Sequence, residues 1–149
     1  IKVAPDLEFS ALDQILELVG PRQVAGLVAT NTTITRPQTE VPGLARVYGE
    51  QGGLSGRPLK ARSTDVIRHL FKQTRGTLPI IGVGGIFDAD DAWEKMRAGA
   101  SLIQTYTGLV YEGPGITRAI VSGLRARLAE HGLKELSEAV GTVASLRDC

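Results

Sequence analysis

Cysteine is nearly absent: one residue in 149, and it is the last, Cys149. That excludes an internal disulfide framework and fits a reducing cytoplasm, with the thiol read as exposed and unreactive. Long apolar runs are missing as well. No stretch approaches the ~20 apolar residues that span a bilayer, and Ile1-Lys2-Val3-Ala4-Pro5 lacks a signal-peptide layout. No excess of one charge exists either. Seventeen Lys and Arg stand against sixteen Asp and Glu, interspersed without a basic block, so the electrostatic case for a nucleic-acid partner is gone. Neither His69 nor His131 has a second His or Cys at ligand spacing, which argues for structural roles and against a metal site. An initiator Met is also lacking, and a β-like run begins at residue 1 with no preceding cap. The expectation is therefore a piece of a longer polypeptide.

What remains is the composition of one ordinary globular domain, 42% hydrophobic and 22% charged. Four times, a short apolar run passes through a polar or Gly-rich turn into a helical pattern. Ile1 to Ala4 is closed by Pro5-Asp6, and Leu12, Ile15, Leu16 and Val19 then recur at helical spacing until Gly20-Pro21. Gly26 to Thr30 follows, ending in Asn31-Thr32-Thr33. Residues 36 to 62 carry many Gly and Pro and no clear period, which predicts a functional loop or lid. A helix over about Ser63–Lys72 precedes a strand at Ile80–Val83 and a Gly84-Gly85 turn. Asp88 is placed to cap a helix running to Ala98, on which Trp93 and Met96 should pack inward. The fourth strand is Ser101–Gln104, with Thr105 to Gly108 at its carboxyl end. Gly113-Pro114-Gly115 leads into a long amphipathic helix toward His131, and a short helix is expected near Leu136–Val140.

Strands alternating with helices at this spacing imply parallel β/α units. A doubly wound sheet would usually carry its glycines after the first strand; here they follow the last two, where a (β/α) barrel binds phosphate. Four units are half of a closed barrel. The fold class is therefore α/β, a (β/α)8 TIM barrel of which residues 1–149 supply about the last four units.

Two strand ends carry candidate chemistry. At Gly84-Gly85 backbone N–H groups can approach an anion with no Cβ in the way, and a side chain at Gly85 would crowd that anion; a merely structural turn is the alternative. Tyr106-Thr107-Gly108 would complete the cradle from the neighbouring strand. Lys2, in an otherwise apolar strand, either snorkels to solvent or serves a charge inside the barrel. Asn31-Thr32 offers an amide and a hydroxyl where barrel enzymes bind substrate, or is simply a turn. Asp6 is read as a turn or cap residue more than as an orienter of Lys2.

The strings Ile1-Lys2-Val3-Ala4-Pro5-Asp6, Val28-Ala29-Thr30-Asn31-Thr32-Thr33, Gly52-Gly53-Leu54-Ser55-Gly56-Arg57-Pro58-Leu59, Ile80-Ile81-Gly82-Val83-Gly84-Gly85-Ile86 and Ala98-Gly99-Ala100-Ser101-Leu102-Ile103-Gln104-Thr105-Tyr106-Thr107 closely resemble, in order and spacing, those of the dihydroorotate dehydrogenases. The likeness covers residues 1 to about 141. Gly-Gly-Leu-Ser-Gly followed directly by Arg-Pro-Leu looks like the quinone-linked class. The resemblance implies FMN as cofactor, with Lys2 and Thr30 at the isoalloxazine and Ser55, Gly56, Gly84, Gly85, Tyr106 and Thr107 around the ribityl phosphate. It implies that Asn31 and Thr32 hydrogen-bond dihydroorotate or orotate, in the pyrimidine pathway to UMP. In the family a serine removes the C5 proton, the C6 hydride passes to flavin N5 and quinone reoxidises the flavin. That serine should lie before residue 1, so no catalytic base is assigned here. The amino-terminal half, with its quinone route and peripheral contact at the cytoplasmic face of the cell membrane, is expected as the missing partner. Two other functions compete: a phosphate- or flavin-binding half-barrel without chemistry, and another barrel enzyme such as an isomerase. Lys2, Asn31-Thr32 and the Ser55-Gly56 loop speak against the latter, which needs only the phosphate cradle.

Overall fold

The computed structural model describes residues 1–144; Cys149, read above as an unreactive thiol, lies outside the described residues. Its elements run β1 (Lys2–Val3), α1 (Phe9–Glu17), β2 (Leu27–Ala29), α2 (Pro42–Tyr48), α3 (Lys60–Gln73), β3 (Ile80–Val83), α4 (Ala89–Ala98), β4 (Leu102–Gln104), α5 (Thr107–Glu112) and α6 (Ile116–Glu130). One-turn 3-10 helices at Arg57–Leu59 and Leu136–Ala139 complete the set.

The four strands are parallel and stand in sequence order, β1-β2-β3-β4. Lys2 pairs with Val28, Val28 with Ile81 and Ile81 with Leu102, so these four form one row across the sheet. The next row is Val3, Ala29, Gly82 and Ile103. Because side chains alternate along a strand, adjacent rows face opposite sides. The second row belongs to the core: Val3 and Ala29 are buried with Leu27, Ile80 and Ala100 against Leu12, Val66, Ile67 and Leu70 of the helices. In the first row Val28 and Ile81 are half-buried, while Lys2 and Leu102 at its ends are exposed, Leu102 by 60%. Helices thus cover one face only. A doubly wound sheet covers both and reverses its strand order, so the topology decides for the barrel type of winding.

A second cluster of Ile86, Ala92, Trp93, Met96, Ile116, Ile120 and Leu124 joins α4 to α6, and Trp93 and Met96 pack inward as their spacing predicts. The long segment after β2 departs from expectation, for α2 and a 3-10 turn lie inside it. Pro42 at the start of α2 presets its dihedral, but no residue of α2 is buried, so no hydrophobic period marks it. Arg36 organises this segment by donating to the carbonyls of Thr33 (3.0 Å), Tyr48 (2.9 Å) and Gly52 (2.5 Å). Helix α3 also begins three residues before its apolar period, because its first turn buries Ser63 and Thr64 instead of hydrocarbon.

At Gly99 the backbone turns left-handed, φ +124°, and an added Cβ would collide with the Phe71 side chain. Gly99→Ala should destabilise the fold by about 1–3 kcal/mol. Gly20→Ala, where nothing stands within 4 Å, should stay within about 0.5 kcal/mol of the parent. Urea midpoints at unchanged slope check both, and equal midpoints would refute this account of the α3–β4 packing.

Candidate functional site

Three consecutive strand ends open on the same edge of the sheet. Asn31-Thr32 follows β2, Gly84-Gly85 follows β3 and Tyr106-Thr107 follows β4, and the segment before α3 crosses back over them. Thr33 and Leu54 pair as an isolated antiparallel bridge, and Gly53 lies so close to Thr32 that a Cβ would overlap its hydroxyl. Two residues further on, Ser55 Oγ accepts a hydrogen bond from Thr107 Oγ1 at 2.8 Å. The Thr107 methyl would stand 3.2 Å from a Cβ at Gly56. The fold thereby brings Asn31-Thr32, Ser55-Gly56 and Thr107 to one strap, while Arg57 of that strap covers the Phe87 ring at 4.4 Å.

Asp6, at the end of β1, accepts from Thr33 Oγ1, from Ile34 N–H (3.1 Å) and from Thr35 Oγ1 (3.0 Å). Burial pushes its carboxyl up, but those donors outweigh it and hold it below the usual carboxylate range. Its role is to staple two strand ends together, not to orient Lys2. Lys2 itself is exposed, in the row on the helix-free face, and is the sole cationic side chain of the four strands. Thr30 is fully buried and its hydroxyl donates to the Asn31 carbonyl at 2.9 Å, so that hydroxyl is not offered to the open face. Asn31 accepts from Thr32 N–H through Oδ1 (2.9 Å), which turns its NH2 outward as a donor suited to a carboxylate. The Tyr106 ring is 77% exposed.

The glycine turn needs a correction. A Cβ at Gly85 would stand 2.5 Å from Lys60 Cβ and 2.7 Å from Lys60 Cα, with φ +69°. The space it would fill therefore belongs to the first turn of α3 and not to an anion, and Gly85→Val would disturb the fold along with any ligand. The anion case rests instead on the amides. Gly56 and Gly85 are both buried, and among the described residues their N–H groups donate to no protein acceptor. Two N–H groups free of protein acceptors suit a multi-oxygen anion such as a phosphate. At the start of α4, Asp88 Oδ1 caps Asp91 N–H (2.8 Å) and Asp91 Oδ2 accepts from Phe87 N–H (2.8 Å).

Lys95 on α4 escaped the sequence reading. It is completely buried, and its ammonium donates to the Lys60 carbonyl (2.7 Å), Ser63 Oγ (2.5 Å) and Thr64 Oγ1 (2.6 Å). Ser63 Oγ in turn lies 3.1 Å from the Gly84 carbonyl. Desolvation lowers the Lys95 pKa to about 7. Nearby, Lys60 Nζ contacts Asp91 (2.5 Å) and Glu94 (2.9 Å), and the Asp91 hydrogen bond raises its pKa against the opposing effect of burial. No apolar period could reveal Lys95, because α4 is buried on nearly every side between α3 and α6. The two histidines are structural: His69 stacks on Phe9 at 4.3 Å and meets Asp13 at 2.7 Å, and His131 meets the Arg127 carbonyl at 2.8 Å.

Comparison with known proteins gives a consistent result. The family model described as dihydroorotate dehydrogenase matches residues 1–128. A dihydroorotate dehydrogenase (quinone) of Trichodesmium erythraeum is 52% identical over 149 positions, covering 95% of this chain and 38% of the relative. One from Acaryochloris marina is 55% identical over 144 positions with the same coverage. Among solved structures, that of DHODH in complex with ferulenol from Eimeria tenella superposes with a TM-score of 0.87 at 38% identity, covering 95% of this chain and 37% of that one. The ligand-free Eimeria tenella structure gives 0.87 as well. The chain thus spans about 38% of the length of these curated relatives, and its four β/α units are about the last four of a TIM barrel.

The buried ammonium ties stability to pH. Below pH 7 both folded and unfolded chains hold the Lys95 proton, and the full cost of burying the charge is present. Between about 7 and the ordinary lysine value near 10.4 the unfolded chain binds the extra proton, so stability rises with pH, by at most about 1.4 kcal/mol per unit. Relative to Lys95→Met, the parent should therefore gain stability from pH 6.5 to 9.5 in urea titrations. A pH-independent difference would contradict a titrating ammonium in this position.

Proposed function

The chain belongs to the dihydroorotate dehydrogenase family, and from that premise we propose that it supplies the flavin-phosphate end of a quinone-linked enzyme oxidising (S)-dihydroorotate to orotate in UMP synthesis. The observation that carries the reading is the convergence of Asn31-Thr32, Ser55-Gly56, Gly84-Gly85 and Tyr106-Thr107 on one edge, where the Gly56 and Gly85 N–H groups meet no acceptor among the described residues. FMN, when bound, supplies the hydride acceptor that quinone later reoxidises.

The chain's own residues divide the remaining work. Gly56, Gly85, Tyr106 and Thr107 would hold the phosphate through backbone amides, with Ser55 fixed by Thr107. Lys2, on the helix-free face, would hold negative charge at the ring; Thr30 would meet the ring through its backbone, its hydroxyl being engaged. The outward NH2 of Asn31 would donate to the pyrimidine carboxylate, with Thr32 beside it. No serine in this chain stands where the family's proton-abstracting serine belongs, so the base would come from the amino-terminal half. That half would also provide the quinone route and the peripheral contact at the cytoplasmic membrane face. Among the described residues no helix is long and apolar enough to cross a membrane.

The test is a chimaera in which this chain replaces the matching 38% of the Trichodesmium erythraeum relative. It should reduce quinone with dihydroorotate, whereas the 149-residue chain with excess FMN should not, having lost general-base catalysis worth ~10²–10⁴-fold together with half the site. In the chimaera Lys2→Ala should slow dihydroorotate-driven bleaching of the flavin by about 10–100-fold, and Lys2→Arg by less. Turnover by the chain alone would overturn the partial-enzyme reading. FMN binding without turnover in the chimaera would leave a flavin-binding half-barrel.

A further inference from the structure

We propose that Lys95 is a positioning residue for the cofactor phosphate: from behind the Gly84-Gly85 turn its ammonium orders Ser63, and through Ser63 the Gly84–Gly85 peptide, so that the Gly85 amide is aimed into the cradle. The inference rests on the FMN reading above. An ammonium has three donors and no acceptor. It therefore forces Ser63 Oγ and Thr64 Oγ1 to accept, and their single protons must turn elsewhere. For Thr64 the acceptor is the Lys60 carbonyl at 3.0 Å; for Ser63 the choices are the Lys60 carbonyl and the Gly84 carbonyl, both at 3.1 Å.

The Lys60 carbonyl already receives Lys95 and Thr64, which favours Gly84 as the target of Ser63. In a planar trans peptide the C=O and the following N–H point in opposite directions. Holding the Gly84 carbonyl toward α3 therefore turns the Gly85 N–H away from α3, and among the described residues this N–H has no protein acceptor. The same ammonium puts a positive charge behind the anion, and among the described residues no carboxylate touches it. The charged groups that face it are Lys60 and Asp65 on α3 and Asp91 and Glu94 on α4. An apolar side chain would be the ordinary occupant of so closed a site, and replacing Lys95 by Met leaves both hydroxyls able to donate. What Met removes is the constraint on where Ser63 points.

The experiment compares FMN with riboflavin, which lacks the phosphate, by flavin-fluorescence titration of the flavin-free chimaera and its variants. Lys95→Met should weaken FMN at least about tenfold while riboflavin stays within about twofold. Ser63→Ala should show the same selective loss to a smaller degree, and decides the matter if Lys95→Met fails to fold. The ratio of parent to Lys95→Met affinity for FMN should shrink from pH 6.5 to 9 as the ammonium gives up its proton, because Lys60 and the three carboxylates are common to both proteins and cancel. Equal losses for both flavins, or unchanged FMN affinity, would make Lys95 a packing residue and overturn the proposal. If the parent holds FMN no tighter than riboflavin, the phosphate cradle itself fails, and this inference with it.

Discussion

At the end of β3 the chain turns so close to the first turn of α3 that only glycine leaves room, since a Cβ at Gly84 would stand 2.8 Å from Ser63 Oγ and one at Gly85 2.5 Å from Lys60 Cβ. That contact fixes where α3 starts relative to the sheet. The strap before α3 then has no freedom in its landing point, and Leu54, Ser55 and Gly56 are carried across to Thr33 and Thr107. The same contact sets the direction of two backbone amides. The glycines thus act by letting a helix come near, and in the proposed site the residues that would meet a ligand are aimed by that helix.

Charge is arranged around the contact in a consistent order. Asp88 caps the Asp91 N–H of α4, and Asp91 accepts from the Phe87 N–H and pairs with Lys60. Lys60 lies between Asp91 and Glu94, partly open to solvent. Lys95 is closed off, and among the described residues it bonds only to neutral oxygens. A buried charge without a contacting counterion is costly unless several hydrogen bonds compensate it, and three short ones do so here. A stabilising core would not need such a residue. Its retention is best understood through what its donors impose on the turn.

The parts of this architecture that obey a period were legible in the sequence. Strand β3 and helix α4 fall where the apolar run before Gly84-Gly85 and the Asp88 cap place them, and the Gly-punctuated order of units distinguished barrel winding from a doubly wound sheet. What escaped has no period. Helix α2 buries nothing, so its apolar residues follow no pattern, and the first turn of α3 is polar and buried, which reads from sequence as a loop. Lys95 is surrounded by packing residues and resembles the exposed lysines found on most helices until its three acceptors are seen. The motif strings singled out candidate site residues, yet they could not show that the Thr30 hydroxyl is engaged or that the Gly85 Cβ direction faces Lys60.

Helices on one face leave the row Lys2, Val28, Ile81 and Leu102 with no covering layer, and β1 and β4 with unpaired edges. An apolar row beside open edges is unfavourable in water and invites pairing with further strands. The proposed phosphate end, by contrast, is built from the β3 turn, the first turn of α3 and the strap, all within these residues. The two ends therefore depend on the rest of a barrel to different degrees. Anchoring an anion needs only the turn, the strap and the ammonium behind them, whereas ordering a ring and a substrate over Lys2 requires the facing wall. In the proposed enzyme, recognition of the cofactor's phosphate is a local property of this chain, and chemistry at its ring is a property of the closed barrel.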